Sequence, residues 1–196
     1  MDKELFEKIK ILREETGAPL SKCQEALEVT NGDLEKAKEY LRKKGEGLLE
    51  KRKEKEVSQG TISAYIHFNG KLGSLVELRC ETDFVAQNDE FKKLAYEIAI
   101  QVAAYNPLYV SLESVPQEIL EEKRKEFVEG LENKPEEIKE KIFQGKLNEW
   151  AQNYCLLEQP YFRNENLKVK DLISEYVNKF GEKIEVRRFV RLALND

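Results

Sequence analysis

Thr61-Ile62-Ser63-Ala64-Tyr65-Ile66-His67-Phe68-Asn69-Gly70, running on through Lys71-Leu72-Gly73-Ser74-Leu75-Val76-Glu77-Leu78-Arg79-Cys80, is the stretch that decides the fold. Ile62, Ala64, Ile66 and Phe68 alternate with Thr61, Ser63, Tyr65 and His67. That period of two belongs to a strand with one buried face, and the isoleucine side is expected to be the buried one. Asn69-Gly70 predicts a tight hairpin turn with positive φ at both residues. The return strand then sets Leu72, Ser74, Val76, Leu78 and Cys80 on one face.

N-terminal to this hairpin the period changes to that of helices. Leu5, Ile9 and Leu12 form one stripe, which Thr16-Gly17-Ala18-Pro19 breaks. Ser21 with Gln24 reads as a capping box for a second helix with Cys23, Ala26 and Leu27 inside. Asn31-Gly32 stops it, and Asp33 caps a third helix carrying Leu34, Ala37, Tyr40 and Leu41, expected to end at Gly45. Residues 1–45 are therefore expected to be a three-helix docking module. Residues 46–58, almost all charged apart from Leu48, Leu49 and Val57, read as a helical linker, and 59–196 as the core domain.

C-terminal to the hairpin, Phe91, Leu94, Ala95, Ile98, Ala99, Val102 and Ala103 predict a long amphipathic helix ended by Asn106-Pro107. Ser114-Val115-Pro116-Gln117 opens another helix, and further helical pieces follow Pro135, Gly145 and Lys168, the last ending at Gly181. Ile184, Val186, Val190 and Leu192 close the chain as a strand expected to join the hairpin. The fold class expected is α+β, with a small antiparallel sheet packed with helices.

Composition excludes several functions. A net charge of −5, with basic residues mixed among acidic ones, supplies no basic stripe for phosphates, so direct nucleic-acid binding is not expected. No apolar run reaches the ~18 residues of a membrane span, and Met1-Asp2-Lys3-Glu4 lacks the opening of a secretory signal. The expectation is a cytoplasmic protein. Cys23, Cys80 and Cys155 are widely spaced and read as buried small hydrophobes, with neither disulfide nor zinc spacing.

Enzyme chemistry finds little to build on. His67 is the only histidine, no Gly-rich phosphate loop is present, and carboxylate pairs carry no information in a chain so rich in Glu. Trp150, at helical spacing from Leu147, Tyr154 and Leu157, reads as core packing. No cofactor or metal is expected. One segment stands out: Glu81-Thr82-Asp83-Phe84-Val85-Ala86-Gln87-Asn88 puts an apolar pair beside an acid in a connection. Either Phe84 folds back to cap the core, with Asp83 as a local turn or helix cap, or it is an exposed aromatic that binds a partner.

At this segment the chain resembles the elongation factor Ts family. Two motifs carry the likeness: Leu12-Arg13-Glu14-Glu15-Thr16-Gly17-Ala18 with Cys23 and Ala26-Leu27, and Glu77-Leu78 with Cys80-Glu81-Thr82-Asp83-Phe84-Val85-Ala86. Leu156-Leu157-Glu158-Gln159-Pro160 and Val186-Arg187-Arg188-Phe189 add to it, and the length matches the short form without the long coiled-coil insertion. Pro19, Leu20, Ser21, Gln24, Glu25, Arg79 and Gln87 depart from the usual pattern. The resemblance implies a guanine-nucleotide exchange factor for elongation factor Tu. Thr82, Asp83, Phe84 and Val85 would reach the GTPase near its nucleotide, where the Phe wedges between two helices and Mg²⁺ is dislodged. Lys10, Arg13, Leu20 and Ser21, in a module like ubiquitin-associated domains, would dock elsewhere on the GTP-binding domain, and the chain would pair as a homodimer. The alternatives are an adaptor of the ubiquitin-associated type with no GTPase partner, and a carboxylate metalloenzyme.

Overall fold

The computed structural model describes residues 3–131 and 133–194; Met1 and Asp2, where the reading of the N-terminus starts, lie outside them. In chain order the elements are helices α1 (Lys3–Thr16), α2 (Leu20–Val29) and α3 (Leu34–Lys51), and strands β1 (Gln59–Ile66) and β2 (Leu72–Cys80). Helices α4 (Asp83–Gln87), α5 (Asp89–Tyr105), α6 (Gln117–Val128) and α7 (Glu136–Tyr154) come next. Strands β3 (Pro160–Tyr161) and β4 (Asn164–Lys168), helix α8 (Val169–Phe180) and strand β5 (Ile184–Ala193) complete the fold. The fold is α+β. β2 is the middle strand of an antiparallel sheet ordered β1-β2-β5, so the last strand does join the hairpin. β3 and β4, which the sequence reading did not anticipate, make a separate small hairpin.

The hairpin is present, but its faces are reversed on β1. Register pairs Thr61 with Leu78, Ser63 with Val76 and Tyr65 with Ser74. Directly paired residues share a face, so the inward face of β2, with Ser74, Val76, Leu78 and Cys80 buried, carries Thr61, Ser63 and Tyr65 with it. Ile62, Ala64 and Ile66 are thereby turned outward and exposed, and so is Phe68 in the turn. The inner position tolerates polar residues because β1 is an edge strand; there Tyr65 meets Tyr96 of α5 edge to face. The turn also differs from expectation. Gly70 alone takes a positive φ, +67°, and its N–H donates to the His67 carbonyl at 2.8 Å. The loop is therefore longer than two residues, closed by His67 N–H to the Leu72 carbonyl at 2.8 Å.

β5 changes sides part-way along. Glu77 pairs with Arg188 while Leu78 pairs with Val186, so Arg187 is an extra residue, a β-bulge. Before it Ile184 and Val186 are buried; after it Val190 and Leu192 point outward instead of continuing their face. α5 and α8 cover the inner face, and Phe91, Leu94, Ile98, Val102, Val177 and Ile184 fill the core between.

The first three helices have their own core of Ile9, Leu12, Cys23, Ala26, Leu27, Ala37 and Leu41. Asp33 caps α3 as read, accepting from Lys36 N–H at 3.1 Å. The Ser21–Gln24 capping box is absent, because α2 starts at Leu20 behind Pro19 and Ser21 already lies inside the helix. Nor does Gly45 end α3. The helix runs on to Lys51, and Gly45 is buried where α3 crosses α8: a Cβ there would strike the Ser174 carbonyl. Asn178 Nδ2 donates to the Leu41 carbonyl, Lys22 Nζ to the Asn178 carbonyl at 2.9 Å, and Arg42 Nη1 pairs with Asp171 at 2.8 Å. Leu48 and Leu49 pack on the main core and Val57 is buried, so the apolar exceptions among residues 46–58 are anchors.

Gly145 starts no new helix, since α7 passes through it; α6 and α7 form a helical hairpin. Trp150 packs at its base with Val115, Ala151 and Cys155, and is core packing as read. Gln159 is fully buried; its side chain donates to the Asn153 carbonyl at 3.0 Å and accepts from Gln101 of α5 at 3.2 Å.

Candidate functional site

The segment between the sheet and α5 is a single short helix, α4, whose N-cap is Thr82 rather than Asp83. Thr82 Oγ1 accepts from Val85 N–H at 3.5 Å, and Asn88 caps α5 next, accepting from Glu90 N–H at 2.9 Å. Two helix starts so close together leave little freedom to the residues between them. α4 turns Val85 and Ala86 into the core and Phe84 away from it. Phe84 is 85% exposed, so the alternative in which it seals the interior is overturned. The physical reason is helical: residues one apart point about 100° apart, so burying Val85 and Ala86 leaves Phe84 outside. Asp83, in the first turn, is exposed beside it.

A clasp holds the base of this helix. β2 and β5 stop pairing at Cys80 and Ile184, yet the exchange continues through side chains. The Glu81 carboxylate accepts Lys183 N–H at 2.6 Å, and the Glu182 carboxylate accepts Thr82 N–H at 3.0 Å. Thr82 Oγ1 also donates to Glu182 at 2.6 Å. Arg52, at the end of α3, places Nη1 at 2.7 Å from both Glu81 oxygens, and Lys183 Nζ donates to the Lys53 carbonyl at 2.8 Å. Burial pushes the Glu81 carboxyl up, but the Lys183 N–H and Arg52 together outweigh it and hold it below the ordinary range. Burial, aided by Glu182, pushes the Cys80 thiol up to about 11, which makes it inert at neutral pH. Cys23 and Cys155 are buried too.

Lys10 and Arg13 are exposed, three residues apart on one face of α1, and Leu20 and Ser21 are exposed at the start of α2. The Gly17 turn between them lies against Lys179 of α8, and Lys179 pairs with Glu90 in the first turn of α5. The module's turn and the start of α5, next to α4, thus meet at one lysine. Sequence reasoning missed Glu182, Arg52 and Lys179. The register of β2 against β5 is the signal that finds Glu182, and it exists only once the strands are paired.

A second surface is the outer face of the sheet. Ala64, Ile66, Gly73, Leu75, Val190 and Leu192 line a shallow apolar groove of about 540 Å³. Toward the other end of the strands it gives way to charge, where Glu77 binds Arg79 and Arg188, each at 2.6 Å. An apolar patch bounded by charge marks an interaction face. Among the described residues no helix is long and apolar enough to cross a membrane, and no three His, Cys, Asp or Glu side chains converge as a metal cage would require.

A family profile described as Elongation factor TS matches residues 10–196. The chain belongs to the elongation factor Ts family. It is 50% identical over 188 residues to an elongation factor Ts of Thermotoga sp. (strain RQ2), covering 96% of this chain and 94% of that protein. It is 50% identical over 190 residues to one from Coprothermobacter proteolyticus, covering 96% of each, and 49% identical over 191 residues to one from Moorella thermoacetica, with 96% and 94% covered. The elongation factor Ts family consists of nucleotide-exchange factors for elongation factor Tu, acting in translation elongation, and not of enzymes.

Proposed function

We propose that this chain promotes GDP release from elongation factor Tu by inserting Phe84 between two helices beside the nucleotide, which dislodges Mg²⁺. The observation that carries this reading is the exposed Phe84 ring on a helix whose next two residues are locked in the core. Thr82 starts that helix, Asp83 adds a carboxylate beside the ring, and Val85 anchors it from within. Mg²⁺ bridges and neutralises phosphate charge, so its loss weakens GDP. Fully burying one Phe contributes about 1.5–3 kcal/mol, whereas a thousandfold faster release needs about 4 kcal/mol. The difference comes from other contacts that tighten in the nucleotide-free complex, for which exposed Lys10, Arg13, Leu20 and Ser21 are the candidates. By linkage, GDP weakens the factor's grip by the factor through which the factor weakens GDP.

In this reading residues 1–45 dock, 46–58 connect, and 59–196 contact the GTPase and pair with a second copy in the cytoplasm. Pairing is supported by the apolar half of the outer sheet face. A second copy supplies an identical apolar patch, the partner that face-to-face sheet packing requires. Sedimentation at micromolar concentration is expected to give a dimer. A monomer that loses complex formation on Leu75→Glu would instead assign this face to elongation factor Tu.

The function is tested by release of fluorescent GDP from elongation factor Tu, and by isolation of a complex with the nucleotide-free GTPase that GDP and Mg²⁺ dissolve. Unchanged release at saturating protein, with no such complex, would leave the ubiquitin-associated type of adaptor as the better reading.

A further inference from the structure

The clasp between residues 81–82 and 182–183 lies where the sheet has ended, and it governs the first residue of α4. Its geometry is selective. Glu182 takes both donors of Thr82, the N–H at 3.0 Å and the hydroxyl at 2.6 Å. With its proton committed to the carboxylate, the hydroxyl oxygen presents its lone pairs elsewhere, and Val85 N–H donates to it at 3.5 Å. Thr82 is thereby held in its extended capping conformation, φ −120° and ψ 156°. The direction of the α4 axis, and with it the bearing of Phe84, follows from that cap. Glu182 in turn follows Gly181, which ends α8 with a left-handed φ of +73°, and precedes Lys183, whose N–H is taken by Glu81. Both ends of the clasp thus stand on rigid elements.

From this geometry we propose that Glu182 is a positioning residue for nucleotide exchange: it touches neither GTPase nor nucleotide, and acts by fixing the Thr82 cap so that Phe84 is presented in one orientation. The proposal rests on the wedge reading of Phe84 given above. A side chain one hundred residues away in sequence from Thr82 sets the aim of the exchange element, and it does so through hydrogen bonds that an apolar residue cannot replace. Arg52 braces the same clasp from the other side by gripping Glu81.

The test measures fluorescent-GDP release from elongation factor Tu as a function of factor concentration, for Glu182→Ala, Glu182→Gln, Phe84→Ala and the double variant Glu182→Ala/Phe84→Ala. Glu182→Ala is expected to lower the saturating release rate about tenfold, equivalent to about 1.4 kcal/mol. The half-saturating concentration for the GDP-bound GTPase stays within about twofold, because binding energy realised only on the way to release is what is lost. Glu182→Gln keeps one acceptor oxygen for a Thr82 donor and recovers the rate to within about threefold of the native protein. In the Phe84→Ala background Glu182→Ala has no further effect, since the ring it aims is gone. A full rate for Glu182→Ala alongside a slow Phe84→Ala overturns this proposal alone. Multiplying losses in the double variant overturn it too, because Glu182 would then act independently of the ring. A full rate for Phe84→Ala removes the wedge reading, and this proposal with it.

Discussion

Replacing Phe84 by alanine separates the surface role of this ring from a structural one. In the free protein the ring is 85% exposed, so its removal costs almost no burial, and alanine is the better helix former. Thermal stability should change by no more than the ±0.5 kcal/mol typical of surface substitutions. In the complex nearly the whole ring is available to be buried. The loss of about 1.5–3 kcal/mol then converts to roughly a ten- to hundredfold slower stimulated GDP release. Stopped-flow release of fluorescent GDP reads the rate, and a thermal melt on the same samples reads the fold. Chelating Mg²⁺ should narrow the gap between native and variant, because the step that Phe84 performs has then been done by the chelator. A variant that melts early while its folded fraction exchanges normally, or one that is native in both assays, would refute the reasoning. So would a gap that chelation leaves untouched.

Other perturbations test the surroundings. Leu75→Glu places a charge in the centre of the apolar outer sheet face and should give a folded monomer by sedimentation. Gly45→Ala gains helix propensity of about 1 kcal/mol but drives a Cβ into the Ser174 carbonyl; overpacking of this kind costs about 1–3 kcal/mol, so a net loss should appear in denaturant melts. Burial, with Asp171 adding to it and Arg42 opposing, pushes the Glu175 carboxyl up to about 7 in a crevice that Lys38 and Arg42 also line. Its folded pKa lies above its unfolded value, so the native state holds the proton more tightly. The stability it contributes is full below the unfolded value near 4.5 and is lost as pH rises toward about 7. Melts of the native protein and of Glu175→Gln across that range should diverge, the glutamine variant being the flatter of the two.

Periodicity located the N-terminal helices, α5, the hairpin and the closing strand, because each has a run long enough for its period to show. It could not say which side of β1 faces inward. Alternation marks two faces, and Ile62 and Ile66 occupy the one left open, since the register with Val76 and Leu78 decides the matter. Arg187 defeated the reading of β5 for a related reason: a single extra residue inverts every side chain beyond it, and nothing local announces it. Gly45 read as a stop because glycine often ends helices, whereas here it is needed for the close crossing of α8. At the candidate site the motif around Asp83 and Phe84 was legible, and so was the choice between a buried and an exposed ring. Its resolution needed Val85 and Ala86 in the core. The supports of that site, Glu182 and Arg52, come from distant parts of the chain and meet only in the folded protein.

Because α3 continues unbroken from the small N-terminal bundle to Lys51, with Arg52 as its cap, it acts as a ruler with a phase. Each added residue would lengthen it by about 1.5 Å and rotate everything beyond by about 100°. A one-residue insertion after Gly45 would therefore swing Arg52 off Glu81 and turn Leu48 and Leu49 off the main core. The spacing between the two halves of the molecule is thus quantised in whole helical turns, and natural length variation in this segment should come in steps of three or four residues.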